Sequence, residues 1–349
     1  MAKDLENEAR DRALARIRAA RARSAGGVDA WMEQLLTGDR TALAQAISLV
    51  ESTLPEDRHI AEQLMERASK RAGKALRYGI TGVPGVGKST WIEAAGLHLI
   101  EQGHQVAVLA VDPSSSRTGG SLLGDKTRMS TLARHDQAFV RPSPSGRALG
   151  GVAEATSEIA LLCEACGFDR ILIETVGVGQ SETEVRRMTD VFLLLLIPGA
   201  GDGIQGIKRG ILEWADAVWV NKADGETARM EAAQSALGVY RAALALLAPP
   251  SEGAPPLFGA GSSLDAGQVA HWVDRLEGRL EEAAISGSLE RRRSRQMRDS
   301  LDSLLARESL ERVRRHPRFA EAWTRLQDEA LHAQIPPYEK VRRLLDSLD

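Results

Sequence analysis

Short apolar runs alternate with longer amphipathic stretches through the middle of this chain. The runs fall at residues 75–80, 106–111, 138–140, 171–174, 191–197, 217–221 and 256–258. They have the length and bounding residues of strands, and the stretches between them read as helices. Apolar strands alternating with helices imply βαβ crossovers and a mainly parallel sheet. Residues 1–73 carry no such runs: Ala, Arg, Glu and Leu dominate, with a break at Gly26-Gly27, so they read as a helical extension. Residues 276–349 are again helical and heavily charged, punctuated by His316-Pro317 and Pro336-Pro337. The expected organisation is therefore a helical extension over 1–73, an α/β domain over 74–275 and a helical arm over 276–349.

Composition narrows the class without naming it. With 349 residues, 43% hydrophobic and 27% charged, the chain has ample length for a soluble core. A net charge of -3 gives no electrostatic case for nucleic acid or an anionic membrane. Two cysteines are too few for a disulfide framework and fit a reducing cytoplasm. The charged N-terminus lacks the apolar segment of a secretory signal, and no apolar run is long enough to span a bilayer.

The chemistry is concentrated at strand ends. After the first strand the chain reads Gly82-Val83-Pro84-Gly85-Val86-Gly87-Lys88-Ser89-Thr90, which contains G-x-x-x-x-G-K-[ST] in its strand-to-helix context. Glycines there let backbone N–H groups turn around phosphate oxygens, and the helix N-terminus adds positive potential. Lys88 is placed to reach the β- and γ-phosphates, and Ser89 to bind Mg²⁺. Downstream, Asn221-Lys222-Ala223-Asp224 follows another strand. One carboxylate, Asp224, accepts from both the ring N–H and the exocyclic amine of guanine, a donor pair adenine lacks. Asn221 is expected to contact the base edge and brace the phosphate loop, while the stem of Lys222 covers the ring. A plain polar turn is the alternative for this tetrapeptide, and its position at a strand end beyond a phosphate loop favours the base site. The stretch Phe258-Gly259-Ala260-Gly261-Ser262-Ser263 is placed to offer a backbone amide to the guanine carbonyl, with Gly259, Ala260 and Gly261 as the candidates; a simple loop is the alternative.

Between these loops, Asp112 and Glu174 end two further strands and suit the Mg²⁺ shell. Their alternatives are a helix cap and a solvated strand end. Glu174-Thr175-Val176-Gly177 has the form of a γ-phosphate sensor, with the Gly177 N–H touching the third phosphate. Asp125 either joins the metal shell or lies in a surface turn. A glycine-rich stretch from Gly199 holds Gln205 and Lys208, and Lys208 is expected to reach phosphates or a partner; a flexible connection is the alternative. Two other signals carry less. Cys163 and Cys166 sit inside a helical pattern without a second pair, which points to core packing. The basic run from Arg291 to Arg298 is expected to be a solvated or dimer-facing helix face.

Together these strings resemble the methylmalonyl-CoA mutase-associated GTPases, of the SIMIBI class of P-loop GTPases. The resemblance rests on the phosphate loop, on Val111-Asp112-Pro113-Ser114-Ser115-Ser116, on Gly124-Asp125-Lys126-Thr127-Arg128-Met129, on the string from Glu174 to Glu182, and on Asn221-Lys222-Ala223-Asp224. It implies a P-loop NTPase fold with helical extensions, and GTP turned over to GDP with Mg²⁺ as cofactor. Ser89, Asp112, Asp125 and Glu174 match the family's magnesium and switch positions, and Gln205 and Lys208 its third switch. The implied partners are a second copy, through the C-terminal arm, and an adenosylcobalamin-dependent acyl-CoA mutase, with an adenosyltransferase as a further candidate. The implied role is gating of cofactor delivery and protection of that mutase. Metal insertion and small-molecule phosphorylation are the competing roles; the first lacks a His/Cys-rich ligand set, and Asp224 opposes the second.

Overall fold

The computed structural model describes residues 27–52, 54–111, 129–141, 152–175, 181–198, 209–225, 227–245, 254–332 and 337–347. Among these residues seven strands form one sheet: β1 Leu76–Gly82, β2 Val106–Val111, β3 Ala138–Arg141, β4 Arg170–Thr175, β5 Val191–Leu196, β6 Ala217–Val220 and β7 Leu257–Ala260. Their order is β3-β2-β4-β1-β5-β6-β7, and every pairing is parallel. The expected strands are all present, with ends moved by one or two residues. β2, β5 and β6 are buried along their whole length. That is the signature of strands covered on both faces, and it explains their unbroken apolar sequences.

One face is covered by α1 (Gly27–Leu36), α2 (Arg40–Val50), α3 (Pro55–Ser69) and, beyond β3, α6 (Val152–Ala165). Trp31, Leu35, Leu43, Ile47 and Leu64 share a core there with Cys163, Ile171, Ile173 and Phe192. The first described helices therefore pack on the sheet. In α2, Leu43, Ala46 and Ile47 follow the helical stripe, and Asp39 caps the helix by accepting from Thr41 N at 2.7 Å and Ala42 N at 3.1 Å. Both cysteines are buried, as core packing requires. Burial holds both thiols protonated, that of Cys166 pushed up to about 11.

The other face is covered by α4 (Lys88–Glu101) and α10 (Ala266–Ile285), with short α5 (Ser130–Arg134) beside α4. Trp91, Ile92, Leu99, Trp272 and Leu276 bury against Ile80, Leu172 and Leu193. An expected boundary at 275 falls inside α10, whose apolar stripe runs on to Leu280. Short α7 (Ser181–Arg186) and α8 (Arg209–Trp214) precede β5 and β6, and α9 (Thr227–Ala245) covers β6 with Leu237 and Tyr240.

The first compact unit reaches Arg293, six residues into α11 (Ser288–Arg314). Here the basic run departs from expectation. Arg293 grips the Asp190 carboxylate at 2.8 and 2.6 Å and donates to Gly73 O and Ala75 O. Arg292 pairs with Asp216 at 2.6 Å. Asp190 and Asp216 immediately precede β5 and β6, where they accept from Arg77 N and Phe192 N. Two of the arginines thus dock on acids at the N-terminal edge of the sheet, a spatial pairing that local sequence does not reveal. The second unit, from Ser294, holds the rest of α11 with α12 (Phe319–His332) and α13 (Pro337–Asp346). Within it Phe319 and Trp323 stack at 5.8 Å, and Leu301, Leu304, Leu305 and Leu310 are exposed. Among the described residues no helix is long and apolar enough to cross a membrane.

Candidate nucleotide site

The phosphate-loop motif and the Asn221 motif lie at the C-terminal ends of β1 and β6, the end where parallel sheets bind ligands. The loop from Gly82 to Gly87 joins β1 to α4, with a Val86 N to Val83 O bond of 3.2 Å closing its turn. Gly87, directly before α4, sits at φ 104°. A Cβ there would lie 2.5 Å from Asn221 Nδ2, so both its conformation and its neighbour require glycine. Lys88 opens the helix and turns back into the loop, donating to Gly82 O at 2.8 Å and Val83 O at 3.3 Å. Pro84 and Gly85 are exposed at the loop's tip, and Thr90 is half-buried on α4.

Ser89 donates to Glu174 Oε1 at 3.1 Å, and both residues are buried. Glu174 is the penultimate residue of β4 and is buried rather than on a solvated end. Two hard oxygen donors beside a phosphate loop have the chemistry Mg²⁺ selects. One residue on, Thr175 donates to Thr81 at 2.9 Å, a buried hydroxyl pair tying the end of β4 to the end of β1. Asp112, Asp125, Gly177, Gln205 and Lys208 lie outside the described residues.

Asn221 joins the two loops. Its Nδ2 donates to Val86 O at 2.7 Å, and its Oδ1 accepts from Ser263 N and Ser263 Oγ, each at 2.8 Å. With 2% of its surface exposed, its amide is used on both sides. Lys222 follows at φ 60°, the one non-glycine in that region among the described residues. That conformation costs about 1 kcal/mol and reverses the chain so that Ala223 N bonds Gly261 O at 3.1 Å. Asp224 then stands at the surface, 40% exposed, with Arg229 at 4.0 Å.

The second base-side segment differs from expectation. Gly259 and Ala260 are strand residues of β7, registered against Trp219 and Val220. Gly261 N donates to Val220 O at 3.0 Å, which extends that pairing. Its N–H is therefore committed to the sheet and is not offered to a ligand. Beyond it, Ser262 N is held by Gln268 Oε1 at 3.0 Å and Ser263 N by Asn221. Among the described residues Leu264 N has only the Ser262 hydroxyl at 3.2 Å, and Leu264 is 79% exposed. The loop's presentable amide is thus that of Leu264, just beyond the expected stretch and three residues past Gly261. Leu264 and Gln268 were not singled out by sequence, because backbone commitments are set by strand pairing.

The chain matches the family model described as methylmalonyl Co-A mutase-associated GTPase MeaB over residues 43–318. It is similar to a probable GTPase of Mycobacterium tuberculosis, 47% identical over 319 residues covering 91% of this chain and 94% of that protein. It is also 42% identical to the mouse mitochondrial methylmalonic aciduria type A homolog, covering 89% and 77% of the two chains. Among solved structures, a LAO/AO transport system kinase superposes with a TM-score of 0.72 at 34% identity, covering 92% and 97%.

Proposed function

This chain belongs to the methylmalonyl-CoA mutase-associated GTPase family, and from that premise we propose a Mg²⁺-dependent GTP hydrolase that guards an adenosylcobalamin-dependent acyl-CoA mutase. The observation that carries the nucleotide part is Asn221, whose single amide holds the phosphate loop and the base-side loop together. The backbone N–H groups of residues 82–89 and the α4 N-terminus receive the phosphates. Lys88, already inside the loop, exchanges its carbonyl partners for β- and γ-phosphate oxygens. Ser89 and Glu174, with Asp112 and Asp125, would hold Mg²⁺. When bound, that ion neutralises charge building on the phosphate oxygens during transfer. Asp224 accepts from the guanine ring N–H and amine. The Lys222 stem covers the ring, and the Leu264 amide meets the base carbonyl in place of Gly259, Ala260 or Gly261.

Hydrolysis by such a site is positioning and charge stabilisation, and because no glutamine base or arginine finger stands out in the sequence, the chain alone turns over slowly. Gly177, Gln205 and Lys208 report the γ-phosphate to the partner, and a second copy binds through the arm in the cytoplasm. The supporting facts for the partner are the family's name and the mouse relative's. Lys88→Ala tests the site: phosphate release from GTP is expected to fall at least about a hundredfold, and an unchanged rate would reject the assignment.

A further inference from the structure

The first turn of α10 contains an unusual cap. Asp265 is its N-cap, and Asp265 Oδ1 accepts from Gln268 N at 3.0 Å. In the ordinary capping box, the side chain three residues into the helix returns to the cap's own N–H. Here Asp265 N is taken by Ser262 O at 3.1 Å instead. The Gln268 amide reaches past the cap: its Oε1 accepts from Ser262 N at 3.0 Å, while its Nε2 donates to Asp265 Oδ2 at 2.8 Å. It lies so close over the backbone that a Cβ on Gly261 would stand 2.3 Å from Gln268 Oε1. The glutamine therefore ties the loop to the cap of its own helix.

That loop is held from two directions. Asn221 fixes Ser263 from the end of β6, and Gln268 fixes the adjoining Ser262 from α10. Between them they leave Leu264 N, bonded only to a rotatable hydroxyl, as the amide free to change partner. We propose that Gln268 is a positioning residue for base discrimination, setting the Ser262–Leu264 backbone so that one N–H meets the carbonyl of a guanine-type base. This rests on the guanine-site reading above. A neutral side-chain amide suits the task. It accepts from one neighbour and donates to the other, which neither a carboxylate nor an apolar chain of the same length does.

The test is Gln268→Leu, similar in size and without either bond. GDP, IDP and ADP are titrated by competition against a fluorescent guanine nucleotide. GDP and IDP share the carbonyl and should both weaken by about tenfold, the worth of one misplaced buried hydrogen bond. ADP carries an amine there and should change less than about twofold. At saturating GTP the rate should hold while KM rises, because Lys88, Ser89 and Glu174 are untouched. Unchanged GDP affinity would overturn the proposal, and so would equal losses for GDP and ADP, which is what general damage to α10 produces. Asp224→Asn run alongside separates the two claims. If it leaves the GDP-to-ADP ratio unaltered, the guanine site itself is misassigned.

Discussion

Removing the Arg293 guanidinium should destabilise the first unit by several kcal/mol without touching the nucleotide site. Arg293 makes paired bonds to Asp190 at 2.8 and 2.6 Å, and bonds Gly73 O at 2.7 Å and Ala75 O at 2.6 Å. The Asp190 side chain is 1% exposed and that of Arg293 27%. Breaking a buried pair by deleting one partner typically costs about 3–5 kcal/mol, because a charge is left without compensation. Two features reduce this. Asp190 keeps the Arg77 N–H at 2.9 Å, and the partial exposure of Arg293 lets water reach the vacated place. The expected loss for Arg293→Met is therefore about 2–4 kcal/mol. Urea unfolding followed by the fluorescence of buried Trp91, Trp219 and Trp272 measures it, with an unchanged slope against denaturant. The double variant with Asp190→Asn should cost less than the two single losses added together, by about 1–2 kcal/mol, since the pair acts as one unit. A loss below about 0.5 kcal/mol, or strict additivity, would show the contact to be an ordinary surface pair.

Three further outcomes follow from the same geometry. Asn221→Ala removes both sides of the bridge between the loops; it should cost about 2 kcal/mol of stability and weaken GDP binding well over tenfold by equilibrium titration. A stable variant with intact affinity would contradict the bridging role. Burial raises both thiols and keeps the thiolate scarce below pH 9, so native protein at pH 8 should resist iodoacetamide at Cys163 and Cys166. Full reaction is expected only in denaturant, read by mass spectrometry, and rapid labelling of the folded protein would count against a packed α6. Retention of a purified adenosylcobalamin-dependent mutase on immobilised protein should differ between GDP and a non-hydrolysable GTP analogue; equal retention would remove nucleotide timing from the account.

The parts of the fold visible in sequence were those governed by local rules. β5, Val-Phe-Leu-Leu-Leu-Leu, announces a doubly covered strand, and Gly87-Lys88-Ser89 announces a phosphate loop joining strand to helix. What sequence missed depends on distant partners. Arg292 and Arg293 read as solvated helix charge because Asp190 and Asp216 are about a hundred and about eighty residues earlier in the chain. Gly259, Ala260 and Gly261 read as a base-facing loop because their alignment with Trp219, Val220 and beyond exists only once β7 joins β6. Gln268 reads as an ordinary helix-start residue, and only the fold reveals that its side chain passes its own cap.

The base preference of the unmodified protein tests the central claim most directly. Phosphate release should be measured from GTP and from ATP at matched concentrations, with Mg²⁺ and with chelator. The account predicts turnover of GTP, at least about a hundredfold discrimination against ATP at limiting substrate, and loss of activity on chelation. Comparable turnover of ATP would contradict the roles given to Asp224 and to the loop that Asn221 and Gln268 hold.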